Sequence, residues 1–310
     1  MMKKGIIYNL SPFNNETNMS KAEYVIKKVL AFIMIYIFSA LLGEAVVIGV
    51  LYGMGYDPLH GVMPNGQISE LIFYYGFFIF SAITLLYCRF IEKKKIMLTN
   101  IWRKIKDYIF GALIATILLV IIICINCIIG AMNYCGLNAN ISIESLMLWL
   151  IAFFIQGATE EIMCRGFLLY GLKKRISIPL AIFISSTAFV VPHLSSLIEA
   201  EFMYAMVGII NIYLISIIFS ILVLWRGNIW IACGLHSIWN FILYSVMGLS
   251  LSGSESVSKG VILFKLEKAN IFNGAEYGIE ASVITIIVLS ILLCVVLKKW
   301  KGEKSKNGIS

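Results

Sequence analysis

A chain of 310 residues that is 60% hydrophobic and only 14% charged falls outside the range of water-soluble domains, which average about 45–50% apolar and about 25% charged residues. The net charge of +8 does not make it a nucleic-acid binder, because most of the basic residues lie in the tails and on alternate connections between apolar runs. Seven scattered cysteines, an odd number, exclude a disulfide framework.

A hydrocarbon layer about 30 Å thick needs about 20 apolar residues per helix. Eight stretches qualify: 29–52, 70–90, 108–132, 145–171, 177–197, 203–225, 228–248 and 279–297. The first is too long for a signal peptide and lacks a small-residue cleavage site, so it is expected to be a retained span. Loop 53–69 follows, and the connection after span two carries seven basic residues, Arg89 to Lys106. Span three holds Cys124 and Cys127, which are expected to be small packing residues. Of the 25 Lys and Arg, 21 lie on alternate connections and the two tails. The positive-inside rule then puts both termini in the cytoplasm and makes the number of spans even. The expected fold class is all-α: a polytopic membrane bundle of about eight transmembrane helices. The basic residues serve topology and the anionic inner leaflet, and no nucleic-acid partner is expected.

Charged side chains at membrane depth cost at least about 2.5–3.5 kcal/mol each, so they tend to be paired and functional. Span four contains Gln156-Gly-Ala-Thr-Glu160-Glu161-Ile-Met-Cys-Arg165. Adjacent helical residues point about 100° apart, so the two carboxylates cannot share a face. Glu161 and Arg165 are four apart, in the favourable order, and are expected to pair. Glu160 is expected to lack a local partner and to face elsewhere, which suits a general base or acid. The bland alternative is a purely structural charge network.

Span five contains Phe189-Val-Val-Pro192-His193, where Pro192 removes one backbone hydrogen bond and bends the helix. Span seven contains His236-Ser-Ile-Trp-Asn240, with His236 and Asn240 one turn apart on one face. Taken singly, these groups fit inter-helix hydrogen bonding. A carboxylate, two imidazoles and an amide at similar depth suit a hydrolytic site. After a loop of about thirty residues, 249–278, span eight leads into a basic tail.

The ordered set Glu-Glu-x-x-x-Arg, Phe-x-x-x-His and His-x-x-x-Asn resembles the CPBP family of intramembrane endopeptidases, which includes CAAX prenyl proteases and bacterial lysostaphin-resistance and bacteriocin-immunity types. The resemblance covers about 145–245 and implies an eight-helix bundle with its site open to the cytoplasmic half. It implies that Glu160, helped by His193, activates a water, and that His236 and Asn240 form the oxyanion hole. Glu161 and Arg165 would support the helix. No cofactor is expected. Zinc on Glu160, His193 and His236 is the alternative, although there is no His-Glu-x-x-His, and Asn240 suits an oxyanion role.

The chain is accordingly divided into accessory spans 1–144, a catalytic core 145–248, and the loop, last span and tail 249–310. The expected substrate is a membrane-associated, lipidated or leader peptide, or a membrane-protein segment, in the lipid bilayer of a bacterial cell membrane. Bacteriocin processing or self-immunity is a candidate role. Two rival readings are a non-catalytic peptide-binding immunity protein of the same fold and a transporter or proton relay.

Overall fold

The computed structural model describes residues 6–14, 19–93, 101–198, 200–253 and 260–306. Among the described residues, seven helices are long and apolar enough to cross a membrane. They are α2 (Lys21–Gly53), α3 (Gly66–Phe90), α4 (Ile101–Ile128), α5 (Ile143–Leu172), α6 (Ile178–Ile198), α7 (Phe202–Arg226) and α9 (Val283–Lys306). A short α1 (Ile6–Leu10) precedes them. The remaining predicted stretch, 228–248, is the shorter apolar helix α8 (Trp230–Val246). The chain is thus a polytopic all-α membrane protein with little sheet.

Helix ends follow local chemistry. α2 begins eight residues before the predicted apolar run, because Ser20 and Glu23 form a reciprocal capping box that satisfies two otherwise orphaned amides. α4 stops at Ile128, short of the predicted 132. Gly130 takes φ +74°, a turn that needs no Cβ, and strand β1 (Met132–Leu137) starts two residues later. β1 pairs antiparallel with β2 (Ile262–Leu266), with a register shift between Tyr134 and Gly136.

The helices divide into two compact units. The first comprises Met1–Ile101 and Ile155–Ser185, and the second comprises Trp102–Phe154 and Ser186–Ser310. In the first, α2 packs along α3. Ser81 and Thr159 hydroxyls join α3 to α5 at 2.6 Å. In the second, α7 packs along α9, and Trp149 and Phe153 of α5 meet Tyr244 of α8 at ring centroids of 4.7 and 5.5 Å.

The contact between α4 and α8 depends on two glycines. A Cβ on Gly234 would overlap the Tyr108 carbonyl, and one on Gly111 would overlap the Ile231 carbonyl. Small residues let membrane helices approach this closely. Backbone atoms cannot rotate away, so Gly234→Ala is expected to cost about 3 kcal/mol, read by unfolding in mixed detergent–SDS micelles. Gly49→Ala is the control, since a Cβ there meets nothing within 4 Å, and it should leave the midpoint unchanged.

Candidate active site

In the first unit the helix α5 brings its motif residues into two different surroundings. Glu161 and Arg165 are both 0% exposed, and Arg165 Nη1 donates to Glu161 Oε1 at 2.8 Å, as the four-residue spacing predicts. Glu160 is only half-buried. The sequence predicts no local partner for it; the structure corrects this, because Gln156 Nε2 donates to Glu160 Oε1 at 2.6 Å. Gln156 stands one turn before Glu160 on the same face. A neutral amide therefore touches one carboxylate, and a guanidinium the other.

Immediately after Glu161 the helix widens into a π segment, Ile162–Leu169. Such segments are rare and often mark functional positions. Its register shift alters which carbonyls the helix satisfies internally, and Ser185 of α6 donates to the Cys164 carbonyl at 2.8 Å. Further anchors act near the end of α5. Lys28 lies over the Phe167 ring at 3.9 Å and pairs with Glu92, while the Tyr24 hydroxyl donates to the Gly171 carbonyl at 3.2 Å.

In the second unit Phe189 sits between the two motif imidazoles, 5.0 Å from the His193 ring and 5.7 Å from the His236 ring. Phe219 of α7 stacks on His236 at 5.2 Å. His193 Nδ1 lies 2.8 Å from the Phe189 carbonyl. A carbonyl only accepts, so Nδ1 carries a proton and Nε2 is the ring nitrogen left for another partner. Pro192 remains inside α6, one residue before His193. His236 and Asn240 are both buried on α8, one turn apart.

α8 is held at its start by an acidic anchor. Asp107 accepts from Arg226 Nε at 2.8 Å and from Asn228 Nδ2 at 2.7 Å. Asn228 Oδ1 in turn accepts the Trp230 amide, the first of the helix, at 3.0 Å. The helix then leaves α winding for a second π segment, Ile242–Val246, two residues beyond Asn240. Thus the Glu160-Glu161 and His236/Asn240 helices both change winding just after their polar motif. Sequence reasoning missed both π segments and Gln156. Of these, only Gln156 had a visible signal, its four-residue spacing from Glu160.

Residues 142–242 match the model of a family described as type II CAAX prenyl endopeptidase Rce1-like. The matched span takes in Glu160, Glu161, Arg165, His193, His236 and Asn240. No curated protein and no solved structure matches the chain.

Proposed function

On the premise that residues 142–242 form an Rce1-like type II CAAX prenyl endopeptidase domain, we propose that this multi-pass membrane protein hydrolyses a peptide bond through a water activated by Glu160. The substrate is a lipidated or leader peptide, or a membrane-protein segment, with bacteriocin processing or self-immunity as a setting. Glu160 acts as general base, aided by His193 through Nε2. His236 and Asn240 donate to the oxygen that becomes negative in the tetrahedral intermediate, a role worth about 2.7–4 kcal/mol per donor. Glu161 and Arg165 fix the rotation of α5. Both termini lie in the cytoplasm of a bacterial cell, and the site opens toward the cytoplasmic half of its membrane.

The observation that carries this reading is the split between two neighbouring carboxylates. Glu161 is sealed against Arg165, whereas Glu160 is half-buried and accepts from a neutral amide. A structural charge network would seal both.

The test uses purified protein in nanodiscs with two probes, a farnesylated CAAX peptide and a double-glycine leader peptide, each carrying a quenched fluorophore. Cleavage of one probe is expected, with Asn240→Ala lowering turnover about 10²–10³-fold. Adding 1,10-phenanthroline should leave the rate unchanged; loss of activity restored by zinc would replace the water-activating role of Glu160 by metal ligation. A transporter would instead move a solute across proteoliposomes and keep doing so with Glu160→Gln.

A further inference from the structure

The connection between α8 and α9 lies outside the matched residues, yet it grips both helices of the second unit that carry motif imidazoles. Glu280, in the 3-10 turn Ile279–Ala281, accepts from the Trp239 indole Nε1 through Oε1 at 2.9 Å. Its Oε2 accepts the Ser252 amide at 2.7 Å and the Ser252 hydroxyl at 3.4 Å. Its main-chain carbonyl accepts Asn211 Nδ2 at 2.9 Å, and the same Nδ2 donates to the Ser282 carbonyl at 3.0 Å, which ties the turn to α7.

Three residues earlier the Tyr277 hydroxyl lies 3.5 Å from Ser196 Oγ, and Ser196 Oγ donates to the His193 carbonyl at 3.0 Å. Burial, with the Glu280 carboxylate second, pushes the Tyr277 hydroxyl up to about 12, so it stays protonated at neutral pH. The Tyr277 ring leaves no room for a side chain at Gly253.

Trp239 stands three residues after His236 and one before Asn240. On a helix turning 100° per residue, fixing its direction fixes theirs. α8 abandons α winding at Ile242, so the Trp239 contact falls in the last α turn before the change, the turn that carries Asn240.

We propose that Glu280 is a positioning residue for His236 and Asn240, holding the rotation of α8 through the Trp239 indole from a loop outside the endopeptidase domain. This inference rests on the reading of His236 and Asn240 as oxyanion donors. Misplacement of catalytic donors by about 1 Å costs about 10²-fold in rate. Glu280→Ala and Trp239→Phe should therefore each lower kcat about 10- to 100-fold on the two fluorogenic peptides, with KM within about twofold.

The double variant should be no slower than the slower single one, because both remove one contact. Glu280→Gln should recover most of the rate, since its amide oxygen still accepts from the indole. Hydrogen exchange of amides 236–246 should quicken in Glu280→Ala. A folded Glu280→Ala protein with wild-type kcat, beside a dead Glu160→Gln protein, overturns this inference and leaves the endopeptidase reading standing. If Glu160→Gln cleaves normally, that reading falls instead; unchanged exchange over 236–246 would then overturn the hold of Glu280 on α8 as well.

Discussion

Replacing Glu160 by glutamine is expected to lower peptide turnover by about 10²–10⁴-fold, the usual share of a positioned general base, while the protein stays folded. Glutamine matches glutamate in size and still offers an oxygen to Gln156 Nε2, which now donates at 2.6 Å. What it loses is the capacity to take a proton from water. Glu160 is only half-buried and glutamine has the same shape, so the unfolding midpoint should move little. Initial rates on the fluorogenic peptides, beside SDS-induced unfolding of the same preparations, separate the two effects. A large drop in stability with unchanged turnover per folded molecule would make Glu160 structural.

Arg165→Met should do the reverse. Glu161 and Arg165 are 0% exposed and joined at 2.8 Å. Removing the guanidinium leaves the Glu161 carboxylate buried without it, which costs about 3–5 kcal/mol. Pairing the change with Glu161→Gln removes the stranded charge, so the double variant should be more stable than Arg165→Met alone. The coupling read from this cycle measures the ion pair rather than the packing of either side chain. If the two single changes simply add, the pair does not hold α5 in its rotation.

Much of this was legible in the sequence, and the physical reason differs by feature. Membrane spans are forced by the bilayer thickness, so seven long apolar helices and the shorter α8 could be placed within several residues from composition alone. The Glu161–Arg165 pair follows from helical spacing. Gln156 was equally readable by the same rule, one turn from Glu160.

Other features had no local signal. Nothing in Ile162–Leu169 marks a π segment, and the contact that accompanies it, from Ser185 to the Cys164 carbonyl, joins residues 21 apart. The β1–β2 pair joins two connections that lie more than 120 residues apart. Glu280 and Trp239 are separated by 41 residues, so a glutamate in a loop gave no hint of its partner. The close approach of Gly111 and Gly234 to facing backbone likewise depends on which helices meet.

The most direct measurement is comparative peptidomics of membranes from cells carrying the wild-type or the Glu160→Ala protein at equal abundance. Wild-type membranes should contain cleaved ends of one or a few membrane-associated peptides that are missing with Glu160→Ala, the uncut precursors accumulating in their place. Identical peptide profiles would contradict an endopeptidase acting through Glu160.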